Sequence, residues 1–267
     1  MWLLSITARP LTTNIGSSLL KMELGERFPE RVTVTTAPVP PSHLNDGDPV
    51  TTWLDSSGNG HNATQTGTAR PIFKKNIING KPAVRFTAAG LSRLNVSPVV
   101  SSLSPWSGFV VMAPAVVGST AVSLANSLAS GPAVFTYYGT TPTYYVMNRT
   151  QLLQSTGAFP VTGFHVFRTD SGLSIAMDGQ PPAGQISPNV VSGDFDTIGA
   201  WLSIPAYSDA DIAEIIFYNV LLAATDIHNI EAGLGAKYGI SITAAGSAVD
   251  PSTVAGLQAW WKADSLL

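Results

Sequence analysis

Three carboxylates near residue 210 form the arrangement in this sequence most suited to chemistry. The segment reads Asp209-Ala-Asp211-Ile-Ala-Glu214. A retaining glycoside hydrolase needs two carboxyl groups about 5–5.5 Å apart across the sugar bond. On a regular strand, Asp209 and Asp211 share one face and Glu214 points to the other, so this chemistry would also require a β-bulge. The alternative is that the segment has no catalytic role.

A second group of oxygen-bearing side chains occupies two turns upstream, at Asp46, Asp48, Asp55 and Asn59. Hard cations prefer carboxylate and amide oxygens, so this group is a candidate calcium site. Neither turn has the spacing of a known calcium loop. The alternative is that these side chains shape the turns by accepting hydrogen bonds from local amides.

Aromatic side chains could bind a sugar by stacking on its rings. The candidates are Tyr137, Tyr144 and Trp201. Both tyrosines have a tyrosine neighbour, and adjacent side chains on a strand point to opposite faces. At most one tyrosine of each pair is therefore expected to be exposed for binding.

The composition favours strands as the elements that position these residues. Among 267 residues there are 24 glycines and 19 prolines, and only 12% are charged. Such a chain is typical of many short strands joined by tight turns. The strands predicted from local patterns are Ala83–Thr87, Gly108–Ala113, Ala133–Tyr138, Tyr144–Asn148, His165–Arg168, Leu173–Met177, Thr197–Trp201 and Ala213–Asn219.

Two local signals add detail to this β-rich pattern. Asp178-Gly179 supplies the positive φ values of a two-residue hairpin turn. After Thr225, apolar residues recur at helical spacing up to Tyr238, and Gly239 follows where a left-handed cap is needed. We therefore predict one short helix in the C-terminal half.

Charge and hydropathy argue against two classes of partner. The net charge is −3 and the sequence contains no Lys/Arg cluster, so nucleic acid is not expected to bind. No segment approaches the roughly 20 apolar residues that span a bilayer. The N-terminal MWLLSITA is also shorter in its apolar run than a secretory signal.

The chain divides into three predicted parts. Residues 1–41 are an N-terminal arm ending in a proline-rich linker, and residues 42–243 are the sandwich. Residues 244–267 are a small-residue linker and a final strand. The strand has an apolar stripe at Leu257, Ala259 and Trp261, whereas Trp260 lies on a mixed face. So apolar a strand is expected to pair with another strand.

Three blocks resemble laminin G-like and concanavalin A-like jelly-roll modules of bacterial surface proteins and phage fibres. They are NDGDPVTTWLDSSGNGHNATQ, INGKPAVRF and DIAEIIFYNVLLAATDIHNIEAGLGAKYGI, and they span residues 45 to 240. The resemblance implies an all-β, two-sheet antiparallel jelly-roll sandwich with one helix. It implies an extracellular, cell-surface or virion-surface location and carbohydrate binding. The three carboxylates resemble the Glu-x-Asp-x-x-Glu strand of laminarinase-like hydrolases, with Asp209 replacing a glutamate.

In such modules a strand like GLQAWWKADSL stands before the first block, whereas here it comes last. Joining Leu267 to Leu44 would restore the usual order. Three interpretations are open: the strand completes its own sandwich, it inserts into a neighbouring copy to build a head-to-tail assembly, or it begins a second tandem module. A linker of some 14 residues reaches about 45 Å when extended, which permits the first.

The sequence thus predicts a noncatalytic structural or adhesion module that associates with like subunits and binds carbohydrate. The competing predictions are a laminarinase-like hydrolase acting through Asp209, Asp211 and Glu214, and a spacer in a tandem-repeat surface protein.

Overall fold

Alternation of apolar and polar residues produces a fold made almost entirely of strands. The computed structural model describes residues 43–100, 105–115, 124–125, 133–137, 144–148, 151–154, 163–171, 175–180, 194–202, 205–243 and 246–267. The arm predicted for residues 1–41 lies outside this part of the chain. Pro41–Leu267 forms one compact unit.

The described residues form seventeen strands. They are β1 (Thr52–Trp53), β2 (Asn62–Thr64), β3 (Ile72–Ile78), β4 (Lys81–Phe86), β5 (Leu94–Val100), β6 (Ser107–Pro114), β7 (Leu124–Ala125), β8 (Ala133–Tyr137), β9 (Tyr144–Asn148), β10 (Gln151–Gln154), β11 (His165–Asp170), β12 (Ile175–Met177), β13 (Phe195–Ile198), β14 (Ala200–Trp201), β15 (Ala206–Tyr207), β16 (Ala210–Tyr218) and β17 (Leu257–Lys262).

These strands build two antiparallel sheets and a small pair. Sheet A has the order β12-β11-β6-β16-β4-β3, with β17 also paired to β16. Sheet B has the order β1-β2-β5-β13-β7-β8-β9-β10, and β14 pairs with β15. The structure confirms the predicted all-β, two-sheet antiparallel jelly-roll sandwich.

Sheet A has an apolar layer on each face. Its inner face packs against sheet B, and this core includes Trp53, Trp106, Phe195 and Trp261, which are all fully buried. Its outer face packs against helix α1 (Ala224–Tyr238) through a second cluster of buried residues. Because both faces are covered there, β16 is buried at almost every position.

Helix α1 confirms the predicted helix and its cap. Ile230, Leu234 and Tyr238 form its buried side, as the spacing indicates. Gly239 has a φ of 68°, and its N–H donates to the carbonyl of Gly235. Within the described residues, no helix has both the length and the apolar character needed to cross a membrane.

Strand β17 lies in the sandwich of its own chain, which is the first of the three interpretations above. One edge pairs with β16, from Glu214↔Lys262 to Tyr218↔Leu257. The other edge is bound by the turn after β1, where the N–H of Ser56 donates to the carbonyl of Trp260 over 2.6 Å. The N–H of Leu44 donates to Leu266 over 2.9 Å, so the two ends that the resemblance would join are adjacent.

The predicted apolar stripe of β17 is correct for two residues and wrong for the third. Ala259 and Trp261 lie in the core between the sheets. Leu257 instead packs with the cluster under the helix, because the register with β16 shifts between Phe217 and Tyr218. An extra residue in one strand reverses the alternation beyond it.

The turn at Asp178 and Gly179 is also as predicted. Both residues have positive φ values, 51° and 72°, and the N–H of Gln180 donates to Met177 over 2.9 Å. The turn follows β12, and the segment after Gln180 lies outside the described residues, so the returning strand of the predicted hairpin stays a prediction.

Candidate functional site

The carboxylates near residue 210 lie along β16, and a bulge decides which way they point. Ile212 pairs with Met112 of β6, whereas Glu214 pairs with the next residue, Val111, so Ala213 is an extra residue. Ile212 and Ile215 both face the core between the sheets. The bulge therefore places Ala213 and Glu214 together on the outer face. It is the irregularity that a catalytic role of the three carboxylates would require.

Glu214 is sealed beneath helix α1 and β17, with a side-chain exposure of 1%. Its Oε2 accepts hydrogen bonds from Lys237 Nζ and from the Tyr238 hydroxyl, both at 2.7 Å. Its Oε1 accepts from Trp260 Nε1 at 2.5 Å. Burial, followed by the charge of Glu214, raises the pKa of Tyr238 far above its ordinary value, so that hydroxyl stays protonated and donates.

Asp211 has a different environment on the same face of β16. It pairs directly with Arg85 of β4 in the sheet, and the two side chains form a bidentate ion pair. Arg85 Nε lies 2.7 Å from Oδ1 and Nη2 lies 2.8 Å from Oδ2. The hydrogen bond to Asp211 raises the pKa of Arg85 above its ordinary value. The pair holds both groups in a fixed orientation.

A groove of about 440 Å³ opens around this ion pair. We call it the outer-face groove. It is lined by the ends of β4 and β6 and by the start of β16, namely Arg85, Phe86, Thr87, Ala113, Pro114, Ala115, Asp209, Ala210 and Asp211. Asp209 is fixed there because its Oδ1 accepts from the N–H of Ala88 at 2.7 Å. The lining of the groove thus combines two carboxylates, a guanidinium and a hydroxyl with several apolar residues.

Glu214 belongs to a different pocket from the two aspartates. That pocket, of about 200 Å³, lies between α1, β16 and β17 and includes Lys237 and Trp260 in its lining. Among the described residues the two pockets share no lining residue. The structure therefore brings Asp209 and Asp211 together and leaves Glu214 apart from them.

The four candidate calcium ligands are engaged in hydrogen bonds within their turns or with neighbouring strands. Asp46 accepts from Lys74 Nζ at 2.7 Å and from the N–H of Lys75 at 2.9 Å, and Asp48 accepts from the N–H of Asn45 at 2.7 Å. The hydrogen bond from Lys74 lowers the pKa of Asp46. Across the described residues, no three His, Cys, Asp or Glu side chains are grouped to hold a metal ion.

Asp55 and Asn59 instead hold β17 in place. Asp55 Oδ1 accepts from the N–H of Trp260 at 2.9 Å, and Oδ2 accepts from the N–H of His61 at 3.0 Å. Asn59 Nδ2 donates to the carbonyl of Gln258 at 2.8 Å. Asp55 also shapes its own turn, because its Oδ1 accepts from the N–H of Ser57 at 2.9 Å, as the alternative interpretation of the sequence predicts. Calcium binding at these four residues stays a prediction.

The aromatic candidates do not form an exposed platform among the described side chains. Trp201 is 2% exposed and packs with Ala125 and Ala206, so the expectation that it stacks on a sugar is wrong. Tyr137 and Tyr144 are paired residues of the neighbouring strands β8 and β9. Their side chains lie outside the described structure.

Sequence reasoning missed Arg85, the cation of the outer-face groove. A signal was present, because Arg85 is an isolated charge between the buried residues Val84 and Phe86. On a strand, such a residue points away from the core. Its partner Asp211 is 126 residues away in the chain, so local patterns could not pair the two.

Comparisons with known proteins identify no family. No family model matches this sequence, and no curated protein matches it. Domain 4 of AbnA, an extracellular GH43 arabinanase from Geobacillus stearothermophilus solved with arabinotriose, has a TM-score of 0.47 at 13% identity, covering 67% of this chain and 96% of that one.

Two other solved structures are more distant in shape. Trypanosoma rangeli sialidase with a bound inhibitor has a TM-score of 0.40 at 11% identity, covering 68% of this chain and 32% of that one, so this chain spans about a third of the sialidase. A SAP-like pentraxin from Limulus polyphemus has a TM-score of 0.38 at 9% identity, covering 59% and 81%. Matches at this level assign neither a family nor a function.

Proposed function

We propose that this chain is a noncatalytic β-sandwich module that binds saccharides in the outer-face groove. The observation that carries the proposal is the bidentate pair of Arg85 and Asp211 in the lining of a groove of about 440 Å³. Pockets for small ligands commonly measure about 300–1,000 Å³ and combine an apolar lining with a few fixed polar groups.

The polar groups of the groove suit a ligand with neighbouring hydroxyls. A carboxylate accepts hydrogen bonds from hydroxyls, and a guanidinium has five N–H donors, of which the bonds to Asp211 use two. The Thr87 hydroxyl can donate or accept. Because the ion pair fixes Arg85 and Asp211 before a ligand arrives, less side-chain entropy is lost on binding.

The positions of the carboxylates support a binding role over hydrolysis. A retaining mechanism needs a nucleophile and an acid on either side of one sugar bond. Asp209 and Asp211 line the groove, but Glu214 lies in the other pocket with three hydrogen-bond donors.

The binding proposal is tested with a glycan array, followed by calorimetric titration of the saccharides that bind. Asp211→Asn should weaken binding about tenfold or more, since hydrogen bonds to charged groups contribute about 1.5–3 kcal/mol. Asp46→Asn is the matched control, because it breaks an ion pair between a turn and Lys74 of β3, and neither residue lines the groove. An array with no saccharide above background would overturn the proposal, as would equal binding by both variants.

The noncatalytic part is tested separately by incubating the protein with β-glucans and arabinans. We expect no release of reducing sugar. Release that disappears in Glu214→Gln and persists in Lys262→Gln, a change in the same pocket, would support the competing hydrolase.

We also propose that the module acts outside the cell, in adhesion or as a structural part of a cell or virion surface. The support is the resemblance of the three sequence blocks to modules of such proteins. Immunogold labelling of the organism that makes the protein tests this, and labelling confined to the cytoplasm would contradict it.

A further inference from the structure

A lysine, an aspartate and a buried glutamate meet where the C-terminal segment crosses helix α1. Lys237 Nζ lies 2.7 Å from Glu214 Oε2 and 3.2 Å from Asp264 Oδ2. The three residues come from α1, β16 and the 3₁₀ turn Ala263–Leu266 that follows β17. An ion-pair network is the simplest description, but two further features do not follow from it.

The first feature is an unsatisfied oxygen. Asp264 Oδ1 is buried and accepts no hydrogen bond within the described structure, although Oδ2 faces Lys237. A buried acceptor without a partner costs about 1–3 kcal/mol, and more when it is charged. An ion pair alone leaves this cost in place.

The second feature is a proton carrier beside the amine. Glu214 is 1% exposed and accepts directly from Lys237 Nζ. The indole of Trp260 and the hydroxyl of Tyr238 fix the carboxylate in that position. A carboxylate held this way can take a proton from one group and return it to another.

We propose that Lys237 and Asp264 form an intramolecular amide cross-link, with Glu214 carrying the protons. Glu214 takes a proton from the Lys237 ammonium and passes it to the Asp264 carboxylate, and the free amine then attacks Cγ of the protonated Asp264. The amine gives up a second proton, which leaves with the Asp264 hydroxyl, so Glu214 ends as the carboxylate it was. The new N–C bond forms, the C–OH bond breaks, and one water leaves through the adjacent pocket of about 200 Å³. Atoms balance and no oxidant is needed.

The geometry favours this condensation. Lys237 Nζ lies 3.2 Å from Oδ2 of the carboxyl group that it would attack, and groups held together in one orientation react far faster than free groups. The product removes two opposite charges from a partly buried site and converts the unpartnered carboxylate oxygen into a neutral amide carbonyl. It also ties the turn that follows β17 covalently to α1, in a chain that has no cysteine for a disulfide.

Intact-protein mass spectrometry of the full chain tests the cross-link. The expected mass is that of the sequence less one water, and tandem spectra of a tryptic digest should show a branched peptide joining Lys237 to Asp264. Lys237→Arg and Asp264→Ala should keep the full mass. Lys262→Arg, a lysine of the same pocket whose Nζ lies 4.1 Å from the centre of the Trp260 ring, should still lose water.

Two controls separate the cross-link from other chemistry. A succinimide at Asp264-Ser265 would also lose water, but it would persist in Lys237→Arg and open in hydroxylamine, whereas the amide would do neither. Asp264→Asn should lose ammonia instead of water, and only while Lys237 is present. An unmodified mass for the folded, aged wild-type protein would overturn the proposal, as would a water loss that survives Lys237→Arg.

Discussion

Two positions of β16, Asp211 near its start and Glu214 at its middle, hold the same kind of pair, a carboxylate and a cation, in opposite surroundings. Glu214 is buried beneath helix α1, which carries Lys237, and it has three hydrogen-bond donors. Asp211 and Arg85 border an open groove, and 45% of the Arg85 side chain is exposed. The comparison teaches that the structure packed over an ion pair determines its role. A buried carboxylate stabilises the fold, whereas one beside an open groove can bind a ligand.

The largest effect is expected from removing β17, whose Trp260 contacts Glu214. A chain ending at Gly246 loses Trp261 and Ala259 from the core between the sheets and leaves Glu214 without its indole donor. Because losing one buried tryptophan side chain already costs about 3–5 kcal/mol, we expect no native sandwich. Near-ultraviolet circular dichroism checks this, and a cooperatively folded fragment would contradict it.

The oligomeric state of the full-length chain tests whether β17 pairs within its own chain. With β17 paired to β16 of its own chain, light scattering after size-exclusion chromatography should give one mass at all concentrations. Head-to-tail strand donation stays a prediction of the sequence. A series of growing oligomers that disappears in the shortened chain would favour donation over pairing within the chain.

A smaller effect is expected from removing one hydrogen bond to the buried Glu214. Trp260→Phe removes the indole N–H that donates to Glu214 and keeps an aromatic ring. The lost bond to a charged group should cost about 1.5–3 kcal/mol beyond the loss of packing. Trp53→Phe is the matched control, because Trp53 Nε1 is buried and has no hydrogen-bond partner among the described residues. Urea unfolding of both variants measures the difference, and equal losses would refute the role of the bond.

At the pair of Arg85 and Asp211, we expect a substitution to weaken binding without a matching loss of stability. Arg85→Met should change the free energy of unfolding by about 1 kcal/mol or less, because exposed ion pairs contribute little. Saccharide binding should fall as it does for Asp211→Asn. A large loss of stability would mean that the groove pair is structural, like the pair at Glu214.

The smallest effect concerns Asp46, whose pKa is lowered by the hydrogen bond from Lys74. A lowered folded pKa stabilises the protein above the unfolded value of 3.8, and this contribution is lost as the pH falls through the folded value. Wild type and Asp46→Asn should therefore differ slightly at neutral pH and converge in acid. Thermal unfolding at several pH values checks the direction, and divergence in acid would contradict it.

Much of the fold could be predicted from the sequence because its signals are local. The spacing up to Tyr238 and the cap at Gly239 depend on neighbouring residues, and the structure confirms both. The bulge at Ala213 is a local feature too, but strict alternation along β16 puts Glu214 on the wrong face. Two isoleucines three positions apart, at 212 and 215, are the pattern that could have indicated it.

The candidate site was harder to predict because its parts come from distant segments. Asp211 was identified from its neighbours, but its partner lies on β4. The burial of Trp201 depends on which strands pack over it, and an aromatic residue in a strand sequence does not show this. Spacing along a chain predicts which residues share a face of a strand, but not which other segments pack against that face.

The position of β17 also sets the order in which this protein can fold during synthesis. The indole of Trp260 reaches Glu214 across 46 residues, whereas its N–H reaches Asp55 across 205. The ribosome therefore exposes nearly the whole sandwich before the strand that closes it emerges. Until then the apolar strands around Trp53 and Phe73 lack Trp261, and nascent chains with such open surfaces are the ones that chaperones protect from aggregation.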